Sequence, residues 1–446
     1  MVFNPHTDAD RAAMLEAVGV DSIADLFEPV SDRVRFPKLD LPPLLTEMEA
    51  TERLGDLAEL NLAPKAGKSF LGAGTYHHFI PATVDQILRR GEFYTAYTPY
   101  QPEVAQGTMQ VIYEFQSMVA SLLGLEVANA SIYDGATALA EGVLVAMSSA
   151  KKRRKVVVSG TIHPAYRAVL ETYLSGEGVD FIDLPIPTTG FVEGLAEFTP
   201  HLDDDLAVAV IQYPNFFGGI EDVSAIAEAV HAAGARLVVS TAPVPLGMLT
   251  PPGHLGADVV TAEGQSLGVP PSFGGPFVGL LAAKKEYVRQ MPGRLAGMTN
   301  DSQGKRGFVL TLQTREQHIR REKATSNICT NQGLMATAAT VYMSSMGPAG
   351  FREVANRSYQ NAHYLAARLA ELPGWEVALD GPFFHEFVVR TPENVPSINR
   401  RLVDRGIIGG YDLAEIHPGL DRHMLVCATE LNGKRSVDNL IVALAS

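Results

Sequence analysis

Three stretches carry residue types that do chemistry. Asp134-Gly135-Ala136-Thr137-Ala138 stands where an apolar run gives way to a helical pattern. Its backbone amides and the Thr137 hydroxyl are therefore placed to face an anion at a helix N-terminus; the ordinary alternative is an aspartate that caps its own helix. Ser159-Gly160-Thr161-Ile162-His163-Pro164 follows a strand pattern and opens a helix at Pro164. That puts His163 at the C-terminal edge of a sheet, where open α/β sheets hold ligands, and a capping or packed histidine fits the pattern equally well. The third stretch is Phe93-Tyr94-Thr95-Ala96-Tyr97-Thr98-Pro99-Tyr100-Gln101. Three tyrosines around a proline in a loop offer hydroxyls on rigid rings to an interface or a pocket, with simple packing as the alternative.

Other chemistries lack their residues. The sequence has no Gly-x-x-x-x-Gly-Lys-Ser/Thr, no Gly-x-Gly-x-x-Gly after a strand, no His-Glu-x-x-His and no Gly-x-Ser-x-Gly, which removes support for triphosphate, dinucleotide, zinc-protease and serine-hydrolase sites. His77 and His78 are adjacent, so their side chains diverge on a strand or a helix and do not share one ion; no metal site is expected. A net charge of −14 argues against a nucleic-acid binder. The one basic run, Lys151 to Lys155, reads as a solvated loop entering the strand Val156-Val157-Val158. Cys329 and Cys427 have no ligand spacing near them and read as reduced cytoplasmic thiols. Two charge-free stretches, 237–257 and 264–283, are long enough to span a bilayer but are studded with Pro and Gly, so they read as buried strands and turns, with no membrane partner. Asp8, Asp10 and Glu16 interrupt any signal-peptide core.

The elements that must position these residues are legible as periodicities. Thr7 or Asp8 can cap a peripheral helix carrying Met14, Leu15 and Val18. From Gly107, apolar Val111, Ile112, Phe115, Met118, Val119 and Leu122 recur at helical spacing up to a C-capping Gly124. Then come short continuous apolar runs at 156–158, 179–182, 206–213, 237–239, 258–262 and 277–282, with helices predicted at about 136–150, 165–175 and 223–233 between them. Continuous rather than alternating apolar strands joined by helices mark a mostly parallel, doubly wound sheet covered on both faces. Near Met346-Gly347-Pro348 the pattern changes to a long helix at about 349–371, strands at 375–380, 384–390 and 423–428, and two further helices, which suggests a small α+β C-terminal domain.

Four segments together resemble the glycine cleavage system P-protein family: Phe70 to His78, Tyr97 to Gln101, Ser131 to Ala138, and Arg321 to Thr330. The resemblance runs in order over nearly the whole chain and points to the α chain that some bacteria make as a separate polypeptide. It implies a fold-type-I pyridoxal-phosphate (PLP) architecture: a helical arm over 1–65, a large PLP-transferase-like α/β domain over 66–340, and a small α+β domain over 341–446. It also implies the family reaction, in which glycine is decarboxylated on PLP and the remaining aminomethyl group passes to the lipoyl arm of the H-protein.

PLP chemistry needs a lysine, a carboxylate for the pyridinium nitrogen and a donor-rich phosphate cup. By resemblance the carboxylate belongs after Leu237-Val238-Val239, where the chain reads Ser240-Thr241-Ala242, and the lysine belongs where it reads Gln265-Ser266. No lysine occurs from Arg236 through Ala283. Lys284 and Lys285 lie past the last strand and read as a solvated helix start, and Lys323 lies in a charged loop. The resemblance therefore implies an α subunit inactive alone, joined in an α2β2 assembly to a β subunit that binds PLP covalently. Tyr97, Tyr100 and Gln101 would cross into the partner's active site, while Asp134, Gly135, Ala136, Thr137, His163, Thr241, Gln265 and Ser266 would line a degenerate pocket. Two alternatives remain: a self-sufficient PLP enzyme using another lysine such as Lys323, and a purely structural pseudoenzyme.

Overall fold

The computed structural model describes residues 5–63, 65–150, 152–313, 317–324 and 326–445; Lys151 of the basic run and Thr325 of the fourth family segment lie outside the described residues. The chain divides into two compact units, Met1–Ala63 and Pro64–Ser446. In the first, Thr7 caps α1 (Asp8–Val18) through a capping box with Asp10, and Thr46 caps α2 (Glu47–Glu59) through one with Glu49. No described residue of this unit is buried; Leu44 is 100% and Leu60 82% exposed.

The second unit begins with α3 (Ala82–Leu88), α4 (Gly91–Tyr94) and α5 (Gln106–Leu123), the last ending at Gly124 with φ 75°. A seven-stranded sheet follows: β1 (Val127–Ala128), β2 (Lys155–Val158), β3 (Asp180–Asp183), β4 (Leu206–Tyr213), β5 (Arg236–Thr241), β6 (Val259–Glu263) and β7 (Gly279–Ala283), in the order β1-β7-β6-β5-β4-β2-β3. Strands β2 to β6 run parallel; β7 is antiparallel to both its neighbours, β6 and β1. Four helices connect the first strands: α6 (Gly135–Ser148), α7 (Pro164–Leu174), α8 (Leu195–Phe198) and α9 (Val223–Ala232).

Alternate residues of each strand feed two cores. Ala209, Ile211, Leu237, Val239 and Val260 pack with Phe115 and Val119 of α5 and Ile226 and Val230 of α9. Val208, Val210, Val238 and Val259 face the other way, onto Leu139 and Val143 of α6 and Leu170 and Leu174 of α7. This double coverage is why the strands read as unbroken apolar runs.

The structure departs from the sequence reading in several places. A hairpin, β8 (Leu295–Asn300) with β9 (Arg306–Thr311), was not expected. It is pinned by two glutamines of α5: the Gln116 amide bonds both the N–H and the C=O of Ala296 (2.9 and 3.0 Å), and Gln106 does the same to Phe308 (2.8 Å each). After α10 (Gln317–Arg320), the long helix α11 starts at Gly333, not near 349, and runs to Ala370. Gly347, at φ 58°, kinks it, and Pro348 restarts it, since a first-turn residue needs no N–H. The expected boundary at 340/341 thus falls inside a helix. Beyond it, β10 (Glu376–Val377), β11 (Glu386–Arg390), α12 (Val395–Val403), β12 (Tyr411–Asp412), β13 (His423–Cys427) and α13 (Lys434–Leu444) complete the chain, the strands forming an antiparallel sheet in the order β10-β11-β13-β12.

The basic run is not simply solvated either. Lys155 is buried in β2 and paired with Asp203, and Arg153 donates to the carbonyls of Leu206 and Ala233. Lys284, expected in solvent, pairs at 2.5 Å with buried Asp258, which also accepts from Leu237 N–H and faces His231 Nε2, each at 2.8 Å. Asp258 precedes β6, so this cluster lies at the N-terminal edge of the parallel strands, opposite the ligand edge.

Burial pushes the Asp258 carboxyl up, but Lys284, the Leu237 N–H and His231 outweigh it and hold the pKa below the ordinary 3.8. Its contribution is therefore present above the ordinary carboxylate range and is lost as pH falls through the folded value. Asp258→Asn leaves Lys284 without its counter-charge and is expected to lower stability by about 3 kcal/mol at neutral pH. Denaturant melts check this, and the difference between variant and wild type should shrink on acidification below about pH 4.

Candidate functional site

At the C-terminal edge of the sheet, the N-terminus of α6 is already satisfied from within the chain. Asp134 Oδ1 accepts from the Thr137 N–H and hydroxyl, both at 2.8 Å, and Thr137 Oγ1 accepts from the Asp134 N–H at 3.1 Å. The Gly135 N–H donates to Glu263 Oε2 at 2.8 Å, and the second oxygen of Glu263 accepts from the N–H groups of Gln265 (2.9 Å) and Val278 (3.2 Å). Glu263, the last residue of β6, thus brings its own carboxylate to an amide that an external anion would use. A side chain at 135 would meet Tyr166 Oη at 2.6 Å and Glu263 Cβ at 2.8 Å, so glycine is what permits the approach. Ala136, next to it, is buried. Burial pushes the Glu263 carboxyl up to about 8, with Asp134 adding to the rise and the three N–H donors opposing it.

His163 caps α7. Its Nδ1 accepts from the Ala165 N–H (3.1 Å), so Nε2 carries the proton and donates it to the Ala73 carbonyl (3.0 Å). The ring stacks on Tyr166 at 4.6 Å and meets Phe216 edge-on at 4.9 Å. Burial holds its pKa below the ordinary histidine value, so it stays neutral. The Gln265 amide accepts from the Tyr76 N–H (2.9 Å) and donates to the carbonyls of Tyr76 (3.1 Å) and Val269 (2.7 Å). The Thr241 hydroxyl donates to the Tyr213 carbonyl, and Ser266 Oγ is buried with no partner.

Residues 70–79 form a strap over this locus, latched by two carboxylates of the C-terminal sheet region. Glu386 accepts from the Ala73 N–H (2.5 Å) and the Tyr76 hydroxyl (2.7 Å); Glu430 accepts from the Phe79 N–H (2.6 Å) and faces His78 Nδ1 (2.7 Å). Burial pushes Glu386 up to about 7 against those two donors, and burial also takes His385 down to about 3. The cavity left among Tyr76, Gln212, Asn215, Ala242, His385 and Glu386 is about 10 Å³, room for roughly one water.

The structure therefore brings Asp134, Gly135, Thr137, His163 and Gln265 to one locus, with Thr241 beside it. Ser266 is buried nearby in sequence but hydrogen-bonds none of them. Tyr97 and Tyr100 stand apart at 70% and 76% exposed, their rings 6.3 Å from each other, and Gln101 is exposed beside them. Among the described residues, no hydrogen bond or ring contact joins these three to the locus. Sequence reasoning missed Tyr76, Glu263, Glu386 and Glu430. Glu263 had a signal, being the one acid between Asp258 and Glu286; Glu386 and Glu430 reach the strap from more than 300 residues away.

These residues do not fit PLP. The Gly135 amide is taken by Glu263 and the Thr241 hydroxyl by a backbone carbonyl, so neither is free for a phosphate or a ring nitrogen. Among the described residues no lysine faces this locus: Lys284 is paired at the opposite sheet edge, and Lys323 is exposed.

Compared with known proteins, residues 1–444 match the glycine cleavage system P-protein family. A protein of Thermomicrobium roseum described as a probable glycine dehydrogenase (decarboxylating) subunit 1 is 57% identical over 444 residues, covering 100% of this chain and 99% of that one. A crystal structure of glycine decarboxylase (P-protein) of the glycine cleavage system, in inhibitor-bound form, superposes with a TM-score of 0.92 at 46% identity, covering 100% and 99% of the two chains. A variant of C-DES with glycine covalently linked to its PLP cofactor shares the fold alone, at 14% identity, a TM-score of 0.62 and coverage of 85% and 96%. The fold is thus the fold-type-I architecture that the sequence implied. Matched from end to end by the family and by full-length relatives at about half identity or better, the chain belongs to the glycine cleavage system P-protein family.

Proposed function

We propose that this chain is the α subunit of a two-chain glycine decarboxylase, lacking the lysine that would form the Schiff base. A β subunit, in an α2β2 assembly, binds PLP covalently; together the chains decarboxylate glycine and hand the aminomethyl group to the lipoyl arm of the H-protein. The observation that carries this reading is the internal closure of the chain's own pocket, with Glu263 on the Gly135 amide and Gln265 on the Tyr76 backbone. A fold of this class whose ligand edge is filled by its own side chains has no place to work alone. The name borne by the relatives, subunit 1, agrees with a second chain.

Tyr97, Tyr100 and Gln101 are the groups this chain offers to the partner. Rigid rings with hydroxyl tips are costly to leave in water and well suited to an interface where one end stays polar. In this reading their hydroxyls and amide orient a charged group in the partner's pocket. No described helix is long and apolar enough to cross a membrane. The compartment we propose is the cytoplasm, which keeps unpaired Cys329 and Cys427 as thiols. Lys323 sits exposed on a short turn, Arg321–Lys323, away from the Glu263–Gln265 locus.

Two outcomes are expected. The chain alone, incubated with PLP and borohydride, yields no lysine adduct, and its melting temperature moves by less than about 1 °C, since a ligand that does not bind the folded state does not stabilise it; a trapped adduct would defeat the proposal. In the reconstituted α–β complex, Tyr97→Phe and Tyr100→Phe each lower turnover by about tenfold or more, the loss from one hydrogen bond to a charged group. The isolated chain should melt unchanged in both variants because the two hydroxyls are exposed. Full turnover in both would favour a scaffold role instead.

A further inference from the structure

A second cavity lies between α6, α7 and the residues Arg321, Glu322, Ala324 and Ser326 to Ile328. Its volume is about 530 Å³, within the range of small-molecule sites. At its wall stands Glu141, in a helix whose neighbours Ala138, Leu139, Ala140, Gly142 and Val143 are all buried. Glu141 itself is only 2% exposed. Ser326 hydrogen-bonds its carboxyl, yet Oε2 is buried with no partner. A carboxylate oxygen without water or a donor costs more than almost any other buried group, and native structures rarely leave one unanswered.

The surrounding chemistry says what would answer it. Glu177 and Glu322 line the same cavity, so an anion is disfavoured; among the described residues Arg321 is the one cationic side chain lining it. Tyr133 and Tyr173 supply aromatic rings and hydroxyls, the combination with carboxylate that favours organic cations. A divalent metal is disfavoured too: among the described residues, no group of three or more His, Cys, Asp or Glu is placed to hold one. We propose that this cavity binds a small ligand carrying a primary ammonium group, its nitrogen seated on Glu141 Oε2.

Protonation supports the same reading. Burial pushes the Glu141 carboxyl up to about 7, Ser326 opposing, so an ammonium ligand competes with a proton for the site near neutral pH. The other groups facing the carboxyl are Tyr133, Tyr173, Glu177, Arg321 and Glu322. Tyr173 is held above its ordinary value by burial first and by Glu141 second, and it stays neutral throughout this range. The proposal stands on this chain alone and does not require the α–β assembly.

Ethylammonium is the probe, with propionate as the control lacking an ammonium group, and thermal unfolding of the full-length chain is the readout. At pH 8 ethylammonium should raise the melting temperature saturably and propionate should not. Glu141→Gln, nearly isosteric and uncharged, should weaken ethylammonium binding at least tenfold. In the wild type, affinity should fall about tenfold between pH 8 and pH 6, because only about a tenth of a carboxyl titrating near 7 is ionised at pH 6. That profile decides the matter if the variant does not fold. If ethylammonium gives no saturable shift at pH 8, if propionate matches it, or if Glu141→Gln binds as well as the wild type, Glu141 is only a buried acid and the proposal is overturned.

Discussion

The Glu263 carboxylate rests on three backbone N–H groups, those of Gly135, Gln265 and Val278, at 2.8 to 3.2 Å. These belong to the first turn of α6, to the segment after β6 and to the approach to β7, so one side chain ties together three pieces of chain at the ligand edge of the sheet. A helix N-terminus presents unsatisfied amides to any acceptor. Here the acceptor is covalently part of the same chain, at an effective concentration no free phosphate can match. Gln265, whose N–H Glu263 accepts, in turn holds the Tyr76 backbone, and the Tyr76 hydroxyl reaches Glu386. The strap, the large sheet and the C-terminal sheet are linked through this one chain of hydrogen bonds.

Buried acids elsewhere sort by what answers them. Asp258 and Glu430 are held below their ordinary values although burial raises both, because Lys284 faces the first and His78 the second. Glu221, Glu263 and Glu386 have only N–H and O–H donors, and burial takes them up to about 7, 8 and 7. Neutral donors compensate part of the lost hydration of a carboxylate, and at Asp258 the Lys284 cation adds its charge. The raised group concentrates at loop crossings on the ligand edge, and the lowered Asp258 marks the opposite edge, where charge serves only to close a sheet.

Much of this was legible in the sequence, and the boundary has a physical cause. Val156-Val157-Val158 and Leu206 to Tyr213 announced a sheet because strands covered on both faces need apolar residues at every position. Thr7, Pro164 and Gly124 marked helix ends because caps are local. The β8–β9 hairpin escaped notice because its anchors, Gln106 and Gln116, lie about 180 to 200 residues earlier, and nothing local encodes them. Lys155 and Lys284 were misread for the same reason: their partners Asp203 and Asp258 are distant in sequence. Met346-Gly347-Pro348 reads locally as a break and is a kink, since small residues Ala336 to Thr340 pack well enough to hold the preceding turns helical. At the site, His163 and Gln265 were found from position along the sheet, while Glu386 and Glu430 were invisible until the fold brought the C-terminal strands to the strap.

The closed locus and the exposed tyrosines follow from one constraint. Every polar group at a buried ligand edge must be satisfied either by a ligand or by the chain. Where Glu263, Gln265 and the strap satisfy them internally, a ligand can enter only by displacing several mutually supporting hydrogen bonds. What the chain can still offer to chemistry is on its surface, and Tyr97, Tyr100 and Gln101 are rigid, hydroxyl- or amide-tipped groups on a loop whose one buried residue, Pro99, holds it in place. In the proposed assembly the same physical rule runs outward: among the described residues nothing hydrogen-bonds the Tyr97 and Tyr100 hydroxyls, and the proposal gives them a partner on the other chain.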